Sequence, residues 1–242
     1  MRYGIISDIH SNLPALQAAL EALSGVDAYL CLGDVVGYGA EPNHCCEIVR
    51  DLHCPTLMGN HDAGVIGELD PDWFNDLAAQ ALRWTARMLT AENLAFLKSL
   101  PEQHRLGGVL LVHGSPLDPW EYIYEAHGAA VVLGAIEEPV CLFGHTHLAM
   151  VFRKEEKAGG VQQTLMPEGG LIALEPGFRY LINPGSVGQP RDGNPQAACA
   201  IYDDCVHTVE LLRVDYPVQQ EQLSMERAGL SRALAARLEV GF

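Results

Sequence analysis

Seven residues of this sequence are of types that bind metal ions, and each follows a short apolar run. Asp8 and His10 follow residues 3–6, Asp34 follows 28–32, Asn60 follows 55–58, His113 follows 109–112, and His145 and His147 follow 140–143. An apolar run that stops at a carboxylate or an imidazole reads as a buried strand opening into a loop at its carboxyl end, the edge where open α/β sheets bind ligands. Asp8 and His10, one residue apart, project the same way from an extended segment, so one ion can take an oxygen and a nitrogen from one piece of backbone. Three oxygen donors and four imidazoles suffice for two ions if one carboxylate bridges them. No thiolate belongs to the set, which argues against a structural zinc site, and the mixture suits manganese, iron, zinc, cobalt or nickel. Two such ions about 3.5–4 Å apart can hold a bridging hydroxide as nucleophile and clamp an in-line phosphoryl displacement.

The patterning also gives the elements that must place these residues. Ser11-Asn12-Leu13-Pro14 is a helix start, with a polar N-cap and an early proline, and Leu16, Ala19, Leu20 and Leu23 then recur at helical spacing up to Gly25. A strand over 28–32 follows, and strand, helix and strand together give a right-handed parallel pair with both acidic ends at one edge. A helix over about 42–52 leads to a third strand over 55–58. Between Asp72 and Leu100 the apolar residues Trp73, Leu77, Ala81, Trp84, Met88, Leu94 and Leu97 recur at three and four. That spacing predicts amphipathic helices whose stripe is core packing, and the stretch of about 63–100 reads as a helical insertion flanking the site.

Trp120, Tyr122 and Tyr124 mark a loop or short helix near the site, and a helix over about 129–136 precedes the strand ending at His145. From there 149–153, 161–166, 179–182, 197–202 and 206–214 alternate with period two, which predicts antiparallel hairpins in a second sheet or in an extension of the first. The tail over about 217–242 is helical, with Leu230, Leu234 and Leu238 on one face fit to pack on the core or on a second subunit of a homo-oligomer. The chain, 1–242, reads as one α/β domain.

Composition limits the partners. The 31 Asp and Glu outnumber 15 Lys and Arg, a net charge of −16 that argues against non-specific nucleic-acid binding. Seven cysteines occur without a CxxC pair, as expected of reduced cytosolic thiols, with Cys31, Cys141 and Cys199 as small core residues. No apolar run approaches the roughly 20 residues that span a bilayer. Met1-Arg2 leads straight into a strand, so a soluble cytoplasmic protein is expected.

The ordered series Asp8-Ile9-His10, Gly33-Asp34, Gly59-Asn60-His61-Asp62, His113 and Gly144-His145-Thr146-His147 resembles the calcineurin-like metallophosphoesterases. Asn183-Pro184-Gly185-Ser186-Val187-Gly188-Gln189-Pro190-Arg191 is similar to their bacterial phosphodiesterase branch, so the likeness extends over about 2–213. The resemblance implies a four-layer αββα sandwich with two mixed sheets. It implies that Asp8, His10 and His147 bind one divalent metal, that Asn60, His113 and His145 bind the other, and that Asp34 bridges. Manganese is the expected ion, with magnesium added to the ions the donor set admits. His61 is then the catalytic imidazole that touches the phosphate and protonates the leaving oxygen, and the substrate is a small phosphodiester or phosphomonoester, nucleotides included.

Asn12, Tyr38, Asn43 and Arg191 lie in loops around the site, with Asn12 and Arg191 as the substrate-contact candidates, since a guanidinium fits a pair of phosphate oxygens. The loop at Gly185 and Gly188 either cradles phosphate with its amides or packs as a turn under His147. His44, His53, His104, His127 and His207 follow no motif and read as surface or hydrogen-bonded histidines. Protein phosphatases of the superfamily carry an acid and an Arg shortly after the bridging Asp. Here the stretch is Asp34-Val35-Val36-Gly37, which counts against a phosphoprotein phosphatase. A dinucleoside polyphosphate hydrolase is the other enzymatic reading, and a non-catalytic scaffold on the same fold is the reading of another class.

Overall fold

The computed structural model describes residues 1–157 and 159–242. The first half alternates strand and helix: β1 (Arg2–Ile6), α1 (Leu13–Ala22), β2 (Ala28–Cys31) and α2 (Pro42–Asp51). A helical run follows, α3 (Asn60–Ile66), a 3₁₀ turn (Pro71–Trp73), α4 (Asp76–Met88) and α5 (Ala91–Lys98). Then come β3 (Gln103–Leu106), β4 (Val109–Val112), α6 (Ala126–Ala135) and β5 (Val140–Leu142). The rest is mostly strand, β6 (Ala149–Glu155), β7 (Val161–Leu165), β8 (Gly170–Ala173), β9 (Phe178–Pro184), β10 (Ala197–Asp203) and β11 (Thr208–Val214), closed by α7 (Val218–Arg227) and α8 (Arg232–Arg237).

The strands form two mixed sheets, ordered β2-β1-β10-β11-β8 and β3-β4-β5-β9-β6-β7. The parallel pairs β1 with β2 and β4 with β5 are joined by the crossover helices α1 and α6, the parallel pair β5 with β9 is joined through β6, β7 and β8, and hairpins such as β10 with β11 supply antiparallel pairs. Alternation along each strand splits the core into layers. Ile5, Leu111 and Ile182 meet between the sheets. Their neighbours turn outward: Ile6 packs with Leu16, Ala19 and Cys46 under α1 and α2, and Leu110, Val112 and Leu181 pack with Val132 and Leu133 of α6. The result is the four-layer sandwich of helix, sheet, sheet and helix. Cys31, Cys141 and Cys199 are buried free thiols. No helix among the described residues is long and apolar enough to cross a membrane.

Two local expectations are corrected. The strand over 55–58 shrinks to one bridge, Thr56 opposite Cys31. Pro55 has no N–H to give, and the Met58 amide leaves for the Pro101 carbonyl at 2.9 Å, so the ladder cannot extend. The apolar stripe over 72–100 is not core throughout. Trp73 lies in the 3₁₀ turn, before α4 starts at its N-cap Asn75, and is 77% exposed, and Met88 is exposed at the far end. Leu230, Leu234 and Leu238 of the tail pack within the chain, against Ala78 and Ala81 of α4 and beside Tyr38.

Candidate metal centre

The sheet edge is built from sharp turns. Asp8, His10, Asp34, His145 and His147 all have backbone φ between +50° and +66°, a region that most side chains avoid and that Asp, Asn and His tolerate best. Each turn swings its side chain into the space beyond the strand ends. Backbone bonds lash the turns together: Asp8 N to Gly33 O and His10 N to Asp34 O at 3.0 Å, and Gly144 N to His113 O at 2.8 Å. Gly59 lets the next segment in, since a β-carbon there would collide with the Asp34 carboxylate. Asn60 follows as the first residue of α3.

Ligand atoms of Asp8, His10, Asp34 and His147 lie within 4.8 Å of one another, as do those of Asp34, His113 and His145. Asp34 belongs to both clusters. Every one of these residues is buried. The imidazoles are fixed from behind: Nδ1 of His10, His113 and His147 donates to the carbonyls of Val36, Leu32 and Gln189 at 3.2, 2.8 and 2.6 Å. Nε2 of His10 and His147 are thereby left as lone pairs facing inward, and Nε2 of His113 faces inward toward Asp34. His145 is held the other way round, with Nε2 3.1 Å from the Trp120 carbonyl, which leaves its Nδ1 free.

Two features fit a cation. The Nε2 atoms of His10 and His147 stand 3.0 Å apart, lone pair against lone pair. Oδ2 of Asp34 is buried and makes no well-aligned hydrogen bond among the described residues, although Nε2 of His113 and of His10 lie 3.4 and 3.6 Å away. Its Oδ1 accepts from the His61 amide at 2.8 Å, and both oxygens of Asp8 accept from the His145 amide at 3.1 Å. Asn60 Oδ1 is 3.3 Å from His113 Nε2.

The charges suit that role. Burial pushes His10 well below the ordinary imidazole range, and burial with its neighbours holds His145 down to about 3 and His61 to about 4. All three imidazoles are neutral at neutral pH, as His10 and His145 must be to bind a metal. Burial alone would raise Asp34, but His113, His61 and His10 outweigh it and keep the carboxyl ionised. At His113 burial opposes protonation, yet Asp34 overcomes it and raises the group to about 9. A proton at that position stands in for a cation.

Asp62 has a scaffold role. Its carboxylate accepts from the amides of Gly59, Val35 and Val36 at 3.0, 3.2 and 3.1 Å, pinning the loop after Asp34 to the start of α3. No hydrogen bond joins it to the His61 imidazole, whose Nδ1 is buried without a partner among the described residues. In front of the clusters opens a cavity of about 380 Å³ lined by Asn60, His61 and His145, by Tyr38, Trp73, Phe74, Trp120 and Tyr122, and by Arg191 and Arg237. Tyr122 stacks on His145 with ring centres 3.7 Å apart.

The calcineurin-like phosphoesterase superfamily domain matches residues 1–204. The chain belongs to this superfamily. It is 40% identical over 245 residues to the uncharacterized protein MJ0912 of Methanocaldococcus jannaschii, covering 98% of this chain and 97% of the relative. A crystal structure of a metallophosphoesterase from Sphaerobacter thermophilus superposes with a TM-score of 0.91 at 43% identity and covers all of both chains. A structure of the hypothetical protein PH1004 from Pyrococcus horikoshii, with a TM-score of 0.81 at 19% identity over 100% of this chain and 98% of that one, shares the fold.

Within this superfamily member the residues expected at the site sort by what they touch. All seven ligand candidates and His61 converge at the strand ends, and Arg191 reaches the cavity, its Nη2 3.1 Å from Gln189 Oε1 and 3.3 Å from Tyr38 OH. Asn12 does not. Its Oδ1 caps α1 at the Ala15 amide, and its Nδ2 donates to Gly188 O at 2.8 Å and to Tyr216 OH at 3.3 Å, which uses up the side chain. Asn43 is likewise spent on Met88 O and the Thr90 amide. The 185–188 loop is a turn, since the Val187 and Gly188 amides donate to the Ser7 and Asp8 carbonyls at 2.9 Å. Trp73, Phe74 and Arg237 line the cavity without having been singled out for it. The Asp70-Pro71 pair ahead of Asn75 was the signal that Trp73 precedes the helix; nothing in the sequence marks Arg237.

Proposed function

We propose that the chain is a metal-dependent hydrolase of small phosphodiesters or phosphomonoesters that works with two divalent ions sharing Asp34, manganese being the expected ion. The observation that carries this reading is Asp34, common to both clusters, whose Oδ2 is buried with no well-aligned hydrogen bond among the described residues. Asp8, His10 and His147 would hold one ion and Asn60, His113 and His145 the other. Divalent ions bound there supply Lewis acidity and an activated water. The chain's own residues do the rest.

Arg191 binds a phosphoryl oxygen and orients the ester, because a guanidinium pairs with phosphate through parallel hydrogen bonds. Water oxygen bonds to phosphorus and releases a proton to solvent, the bond from phosphorus to the alcohol oxygen breaks, and His61, protonated from solvent once the ester is bound, gives that proton to the departing oxygen and returns to its neutral form. His61 is neutral before substrate arrives, and the negative charge of the ester beside it favours its protonation. Buried thiols and the absence of paired cysteines suit a reducing cytoplasm.

The test reloads metal-stripped protein in turn with manganese, nickel, zinc or magnesium and follows bis-p-nitrophenyl phosphate against p-nitrophenyl phosphate. Turnover returning with a divalent ion is expected. Folded protein inactive with every ion overturns the proposal in favour of a scaffold. His61→Asn should keep its metal and lose about 10²–10⁴-fold in turnover, with a larger loss on alkyl esters than on p-nitrophenyl esters, whose leaving group needs no proton.

A further inference from the structure

The cavity before the Asp/His clusters has a composition opposite to that of the chain. Acidic residues outnumber basic ones 31 to 15 overall, yet among the described residues no carboxylate side chain lines the cavity and two guanidiniums do. The two occupy different stations. Arg191 faces the clusters, where its charge bears on His61 and His147, and its Nε is buried without a partner among the described residues. Arg237 comes from α8, beyond the 1–204 stretch that the superfamily domain matches, and no described carboxylate pairs with it. Leu234 of α8 and the flanking Leu230 and Leu238, packed with Ala78 and Ala81 of α4, keep it there. The Tyr38 phenol lies in the field of both guanidiniums, which oppose the upward push of burial on its pKa.

The remaining walls are flat and aromatic. Trp73 stands 77% exposed at the rim, with Trp120 also on the lining and Tyr122 stacked between His145 and Tyr124 at centre distances of 3.7 and 5.2 Å. Trp73 is thus the most exposed of the large hydrophobic side chains among the described residues, so packing does not account for its placement at the cavity. Base-sized π-faces stack on such platforms whatever their sequence. At about 380 Å³ the cavity is at the small end of ligand pockets, enough for one nucleotide and too small to enclose two.

We infer that the cavity takes a nucleotide bearing two phosphoryl groups, one held by Arg191 before the Asp/His clusters, the other by Arg237, with the base stacked on Trp73. The inference rests on the phosphoesterase reading for the identity of the group at the clusters. Arg237 is then a specificity residue and Trp73 a base platform, one wall of recognition supplied by a helix outside the superfamily domain.

The test is binding of ADP, AMP and adenosine to the metal-loaded full chain, read by stopped-flow quenching of tryptophan fluorescence before turnover consumes the ligand. ADP should bind at least about tenfold tighter than AMP, and adenosine weakest. Arg237→Gln should erase the preference for ADP over AMP. Trp73→Ala should weaken both nucleotides roughly 5- to 100-fold, the range expected for loss of one stacking platform, while Trp73→Phe restores most of the affinity. Circular dichroism establishes that each variant is folded. ADP bound no tighter than AMP, or a preference that survives Arg237→Gln, overturns the inference. Failure of the phosphoesterase reading looks different: nucleotides bind with these dependences but no p-nitrophenyl ester is hydrolysed with any ion.

Discussion

A β-carbon on Gly37 would lie 2.5 Å from Nδ1 of His61, so the loop after Asp34 and the proposed catalytic imidazole are in direct packing contact. The acid that protein phosphatases carry in this loop has no room here. Gly37 also has φ +112°, where any side chain is strained. Gly37→Ala should therefore cost about 1–3 kcal/mol of stability and push His61 out of line, with turnover falling by about 10²-fold and metal content unchanged. Thermal melting, steady-state kinetics and metal analysis on one preparation check all three.

Asp34→Ala should remove both ions and all turnover together, because the proposed bridging carboxylate serves both clusters. Metal per chain, measured after gel filtration, is the readout. Two ions retained per chain would refute the bridging assignment.

Asp62→Asn replaces a carboxylate that accepts three backbone amides with a group that has one acceptor oxygen and two donors. At least one buried N–H then faces another donor, a loss of about 1–3 kcal/mol. Urea denaturation should show that loss in the midpoint. An unchanged midpoint would mean the loop does not depend on this carboxylate.

Glu221, on α7, is fully buried, accepts the Ala40 amide at 3.0 Å through Oε1, and leaves Oε2 without a partner among the described residues. Burial, with Glu41 adding to it, raises its carboxyl to about 8 from an ordinary 4.5. The folded state thus binds this proton more tightly than the unfolded state. Its stabilising effect is complete below pH 4.5, declines as the unfolded chain ionises, and is gone above about pH 8, a loss on the order of a few kcal/mol. Glu221→Gln should lose less stability than the native chain between pH 5 and pH 8. Parallel pH profiles for the two proteins would show that Glu221 is ionised in the folded state.

The convergence of the ligand candidates was legible because strand ends concentrate them: an apolar run ending in Asp or His needs no tertiary information. What sequence could not give was decided by contacts far apart in the chain. Asn12 carries the right chemistry for phosphate, but Gly188 and Tyr216, 176 and 204 residues away, consume its amide. Thr56 belongs to an apolar run, and only the departure of the Met58 amide to Pro101 shows why that run makes a bridge and no strand. Trp73 satisfies a helical period by number while sitting in a 3₁₀ turn, and Arg237 is one of several tail cations until α8 docks against α4.

The left-handed turns that present five of the seven ligand candidates narrow the alphabet at those positions. Asp, Asn and His are the side chains most tolerant of that backbone, and the five positions hold only Asp and His. Asn60, in a helical turn, is the one amide in the set and also one of the two positions free of the constraint. Glutamate coordinates divalent ions as readily as aspartate, yet at Asp8 or Asp34 it would have to adopt a conformation it disfavours before its carboxylate reached an ion. The inventory of donors is thus filtered twice, by the cation and by the shape of the chain, and substitution tables built on ligand chemistry alone will overestimate what this edge accepts.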